Sequence, residues 1–85
     1  MISSGQLRAA RALLGIDQKT LAKRAGVSVP TVQRMEASIG NVRGIVDTLT
    51  KIVAALEASG VELISDNVAS PSGGRGVRLR APKTP

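Results

Sequence analysis

The side chains able to do chemistry in this sequence exclude more than they offer. There is no histidine and no cysteine, so there is no imidazole base, thiol, zinc-finger ligand set or disulfide framework. The hydroxyls of Ser3, Ser4, Thr48 and Thr50 therefore have no base to activate them. The carboxylates Asp47, Glu57, Glu62 and Asp66 do not have the spacing of a cation-binding loop with a central glycine, and no metal is expected. Nothing here composes an active site, so neither an enzyme nor a cofactor is expected. What remains is cationic. Lys19 and Lys23 stand four residues apart, with no acid between them, and Arg24 and Arg34 follow.

The whole chain agrees with that emphasis. Its 85 residues hold 12 Lys and Arg against 6 Asp and Glu, a formal charge of +6. They contain no Phe, Tyr or Trp, so no stacking platform for single-stranded nucleic acid can form. An aliphatic core under a basic surface implies a polyanionic partner. The charge is uneven. Six cations face two acids over residues 1–40, two face four over 41–70, and four face none over 71–85. The acidic middle is a candidate for self-association, and the basic ends for the polyanion. The longest apolar stretch, Ile52 to Leu56, is far too short to span a membrane, and Met1 to Arg8 lacks the pattern of a secretion signal. A cytoplasmic protein without membrane contact is the expectation.

The elements that must position these groups are mostly helical. Ser3 and Gln6 form a capping-box pattern ahead of a first helix, with Leu7, Ala10 and Leu14 on one face, Leu13 beside them and Gly15 as its stop. Asp17 caps a second helix, Gln18 to Ala25, with Leu21, Ala22 and Ala25 inward and Gly26 at its end. After a tight turn, Ser28 caps a third helix to about Glu36. Pro30 falls in its first turn, and Val32 and Met35 face inward. Ala37 to Gly44 reads as a loop. A longer helix, about Val46 to Ala58, carries Leu49, Ile52, Val53 and Leu56 as an apolar stripe and stops at Gly60. Val61 to Ser65 and Gly76 to Arg80 are short alternating runs around a turn-rich stretch and predict a β-hairpin. The tail at 81–85 is expected to be disordered. The chain thus divides into a helical domain at 1–60, a hairpin at 61–80 and the tail.

Two short helices joined by a glycine-containing turn have the helix-turn-helix pattern, in which the second helix enters a DNA major groove and the first braces it. Over residues 3–60 the sequence resembles the Cro/repressor, or xenobiotic-response-element, class of regulators. The resemblance rests on Leu7, Leu14-Gly15-Ile16-Asp17-Gln18, Leu21-Ala22, Ala25-Gly26-Val27-Ser28 and Thr31 to Glu36. The later residues, Val42-Arg43-Gly44, Leu56 to Glu62 and Gly76 to Arg80, resemble a small subgroup of such bacterial regulators, many from plant-associated species and mobile elements.

The resemblance implies a mainly α, lambda-repressor-like DNA-binding domain of four to five helices with a C-terminal β-hairpin. It places Gln18 on a phosphate, through its side chain and backbone N–H, and Ser28 and Thr31 on phosphate or a base edge. Val29, Pro30 and Arg34 fall at base-reading positions, with Gln33 beside them. Arg34 is the candidate for a bidentate contact to guanine, and Val29 and Pro30 for apolar contact with a thymine methyl. The family often has polar residues at those two positions. Arg43 falls in a region that holds phosphate. Arg11 and Glu36 match a structural ion pair. Lys19 and Lys23 extend the phosphate-binding face.

A domain of this size touches few base pairs, so a homodimer on a two-fold symmetric site of double-stranded DNA is expected. The hairpin either covers the helical core or presents Val61, Leu63, Val77 and Leu79 as the dimer interface, and dimerisation is the favoured role. With nearly all of the chain spent on the reader, no small-molecule ligand is expected, and repression or activation depends on where the operator lies. The alternatives are an autoregulating antitoxin of a toxin–antitoxin pair and an interaction module that does not read DNA.

Overall fold

The computed structural model describes residues 2–38, 46–64 and 74–80. Four helices and two strands follow in chain order: α1 (Ser4–Leu14), α2 (Gln18–Ala25), α3 (Val29–Glu36), α4 (Val46–Ala58), β1 (Val61–Ile64) and β2 (Gly76–Leu79). The fold is the expected mainly helical one with a C-terminal hairpin. The expected loop between α3 and α4, with Arg43, the tip of the hairpin and the tail at 81–85 lie largely or wholly outside the described residues.

Local chemistry sets the helix limits. Ser3 Oγ accepts from the Gln6 N–H at 3.0 Å, while Gln6 Oε1 accepts from the Ser3 N–H at 2.9 Å, a complete capping box. Asp17 and Ser28 cap α2 and α3 in the same manner, accepting from the Thr20 and Thr31 N–H groups. α1 and α2 end at Gly15 and Gly26, whose φ values of 66° and 71° lie in the left-handed region that a side chain would strain.

Each helix turns its apolar residues to one core. Leu7 and Ala10 of α1, Leu21, Ala22 and Ala25 of α2, Val32 and Met35 of α3, and Ile52, Ala55 and Leu56 of α4 are buried together with Ile2 and Val61. Ala22 and Ala25, with little side chain, let the short helices approach closely. α2 packs on both α3 and α4, whereas α1 packs on α3 and the hairpin.

The hairpin is antiparallel, with Val61 opposite Leu79, Glu62 opposite Arg78, Leu63 opposite Val77 and Ile64 opposite Gly76. Alternation therefore puts Val61, Leu63, Val77 and Leu79 on one face. That face is turned to the helices. Val61 is fully buried in the core, and Leu63 and Val77 pack half-buried against it. The outer face instead carries the Glu62–Arg78 ion pair at 2.6 Å. Of the four residues expected at a dimer interface, Val61 is thus taken up by the core, and Leu63 and Val77 are partly so, as the alternative covering role implies. The helical core already uses three of them, because four short helices leave one side of their core open. Leu79, half exposed at the strand end, keeps the most surface of the four.

A polar side chain fastens the hairpin to α1. Gln6 is nearly buried, and its Nε2 donates to the carbonyls of Ile64 and Gly76, both at 3.0 Å. These residues are the pair that begins the strand ladder at its loop end. One amide thus caps α1 with its oxygen and clamps both strands with its nitrogen. Replacing Gln6 with Ala removes three hydrogen bonds at a buried position, with an expected cost of about 1–3 kcal/mol. Urea denaturation of the two proteins measures it; an unchanged midpoint would show that the clamp adds nothing.

Candidate nucleic-acid interface

The surface of interest is built by α2, the turn after it, and α3. Their contact is closed from behind by Leu21, Ala22 and Ala25 against Val32 and Met35. In the turn, the Gly26 N–H bonds back to Lys23 at 3.3 Å and the Val27 N–H to Ala22 at 3.0 Å. The chain then enters α3 with Ser28, Pro30, Gln33 and Arg34 exposed along its outer side. Lys19 and Lys23 are exposed on α2. Among the described residues, Lys19, Lys23 and Arg34 form no ion pair, although Lys19 lies near enough to Asp17 to feel its charge, so their ammonium and guanidinium ends remain available to a polyanion.

The predicted positions do not all share this exposure. Val29 is half-buried and packs against the core, which leaves it little surface for a thymine methyl. Its position at the first turn of α3, beside the core, makes it an anchor of that helix. Thr31 is half-buried, and its hydroxyl lies 2.7 Å from that of Ser28, so the two form one polar pair at the α3 N-terminus. Gln18 is half-buried, and its Nε2 donates to Glu36 Oε1 at 3.2 Å. Its side chain is engaged inside the protein. The backbone N–H groups of Gln18 and Lys19, which have no partner four residues back in the helix, are left as donors at the start of α2.

Glu36 holds the arrangement together. Its side chain is 5% exposed, and it accepts from Arg11 twice, Nε to Oε2 at 2.9 Å and Nη2 to Oε1 at 3.0 Å. This forked pairing is the geometry that guanidinium and carboxylate favour. Arg11 also donates to the Ile16 carbonyl at 3.3 Å, and Arg8 donates to the Glu36 backbone carbonyl. One residue at the end of α3 thus takes hydrogen bonds from α1 and from the start of α2. The hydrogen bond to Glu36 raises the Arg11 guanidinium further above its already high ordinary value, so Arg11 stays cationic.

Arg8 and Gln6 were not singled out for these contacts by sequence. The Arg8–Arg11 spacing of three residues is a signal, because it puts both guanidiniums on one side of α1. Gln6 gives none, since its partners lie 58 and 70 residues away. The basic strand residues are engaged as well. Arg78 pairs with Glu62, and Arg80 donates to the Glu57 carbonyl. Arg24, on α2, reaches Ser59 at 3.2 Å.

Replacing Arg11 with Ala strands a buried carboxylate and is expected to lower stability by about 3 kcal/mol. The double change R11M/E36M should restore much of that, since the uncompensated charge goes with its partner; thermal denaturation of both proteins compares them. Among the described residues, two carboxyls with lowered values contribute to the response to acid. Hydrogen bonds from Thr20 hold Asp17 below its ordinary value, and Arg78 does the same for Glu62, first by hydrogen bonding and then by its charge. Their stabilising effect is full above the unfolded carboxylate range, about pH 4, and is lost as the pH falls through the lower folded values. Stability should hold from pH 7 to about 5 and fall below about 4, and D17N/E62Q should flatten that fall in urea titrations.

Comparison with known families agrees with this geometry. A family model described as helix-turn-helix matches residues 7–63, from within α1, through α2, α3 and α4, to within β1. No curated protein matches the sequence.

Proposed function

The chain belongs to the Cro/C1-type helix-turn-helix family of DNA-binding transcriptional regulators, and we propose that it binds a two-fold symmetric operator as a homodimer, with α3 as the reading helix. The observation that carries this is the exposed edge of α3. Gln33 and Arg34 are exposed on α3 and Lys19 and Lys23 on α2, none of them in an ion pair among the described residues, while Val32 and Met35 of α3 are buried in the core. The groove admits one helix, and a helix of eight residues offers few base contacts. Two copies, each reading a half-site one helical turn apart, supply the remaining affinity and selectivity.

Within each half-site the roles divide by chemistry. Arg34 is assigned to a guanine edge, where a guanidinium can donate twice. Gln33 lies beside it. Pro30 offers apolar contact alone. The Ser28–Thr31 hydroxyl pair and the first N–H groups of α2 are assigned to phosphates, together with Lys19, Lys23 and Arg43. Phosphate contacts fix the register of the protein on the duplex, and base contacts select the sequence. Whether transcription falls or rises is set by the place of the operator relative to the promoter.

Enrichment of random duplexes on the protein tests the reading, with a two-fold symmetric site as the expected product. On that site R34A should cost about 1–3 kcal/mol and relax selectivity at one base pair per half-site. An equal loss on every sequence would instead assign Arg34 to phosphate. K19A should weaken all duplexes alike and reduce the slope of log K against log salt by about one per protomer. A slope that does not change would remove Lys19 from the interface.

A further inference from the structure

We propose that the outer face of α4 is the surface on which a second copy of this chain docks, an inference that rests on the dimeric reading above. Ile2, Val46, Leu49, Thr50, Val53 and Ala54 line an open groove of about 500 Å³ along α4, with Glu57 at its end. Val46 is 76% exposed, more than Leu13 or Leu79, the other exposed large apolar residues among those described. The hairpin does not compete for this role, because its apolar face is already packed against the helices.

Charge favours a second copy as the occupant. The chain carries +6, so most approaches of one copy to another bring cation against cation. This face has no unpaired cation among the described residues. Its one lysine, Lys51, pairs with Asp47 at 3.2 Å on the same flank of the helix. A two-fold axis across α4 sets that flank against its own reverse. Asp47 of each copy then comes opposite Lys51 of the other, so the arrangement is self-complementary, as an isologous interface requires. Place in the fold agrees as well. α4 packs on α2 and β1 and has no substantial contact with α3. A copy seated on its outer face leaves both reading helices uncovered.

The test is sedimentation of the full chain across micromolar concentrations, with two substitutions at exposed positions. A54R puts a cation into the groove, at an exposed residue whose change leaves the core intact. L79D puts a charge, here an anion, at the rival surface on the hairpin. Circular dichroism confirms that each variant is folded. The wild type should dimerise, A54R should raise the dimer dissociation constant about thirty-fold or more, and L79D should leave it near the wild-type value. A dimer broken by L79D and kept by A54R would overturn the proposal and move the interface to the hairpin. A wild-type chain that stays monomeric at all concentrations, free and on DNA, would overturn it too, leaving the groove to a segment of the same chain or to a different protein. A gel shift on a single half-site separates this failure from failure of the DNA-binding reading. Sequence-dependent binding by a monomeric A54R would support the reading helix whatever the interface, and its absence in every variant would remove the reading itself.

Discussion

The fork between Arg11 and Glu36 is the constraint on which the arrangement of α1, α2 and α3, and with it the proposed reading surface, depends. Helices of eight residues are too short to hold themselves in water, so α2 and α3 exist only as packed pieces. Apolar packing sets their distance, but alanines and single valines define a crossing angle poorly. The buried Glu36 carboxylate supplies direction. It must be paired, and its partners come from α1 and from the first residue of α2. An arrangement that rotates α3 loses these hydrogen bonds while the charge stays buried. The ion pair thus contributes little net stability against an apolar replacement, and much to the fixed orientation of Arg34 and Gln33.

The same division between structural and available charge runs through the molecule. Arg8, Arg11, Arg24, Arg78 and Arg80 each meet a protein acceptor. Lys19, Lys23 and Arg34 are left to the solvent on one side. Net charge alone pointed to a polyanion. The structure turns that total into a surface, because many of the cations are spent inside the fold and those left out of ion pairs lie exposed on α2 and α3.

Much of this was legible in the sequence, and the reasons are local. Ser3 with Gln6, Asp17, Ser28, Gly15 and Gly26 are signals whose meaning lies within four residues, and they placed the limits of the first helices closely. The Arg11–Glu36 pair was legible through family resemblance alone, since its members lie 25 residues apart. The hairpin was legible as an element but not in its orientation. Alternation in Val61, Leu63, Val77 and Leu79 says that one face is apolar, and does not say whether the covering surface belongs to the same chain. The stripe on α4 was similarly incomplete. Ile52 and Leu56 are buried as the helical spacing implies, but Leu49 and Val53 are only half-buried, and Val46 extends the apolar surface into solvent. The inward turn of Val29 follows from packing at the mouth of α3, which spacing alone does not resolve.

The Gln6 clamp has a consequence for how the chain becomes a protein. Its oxygen serves a contact three residues away, and its nitrogen serves contacts 58 and 70 residues away. During synthesis the four helices emerge well before β2, and α1 spends that interval with the Gln6 amide nitrogen unclaimed and without the strand it packs on. Closure of so long a loop is among the slowest steps a small domain faces. The final strand is therefore the latch of the fold. A chain released short of Gly76 retains the whole helix-turn-helix and lacks the piece that seals it, so the length of the reader and the length needed to keep it folded are different quantities.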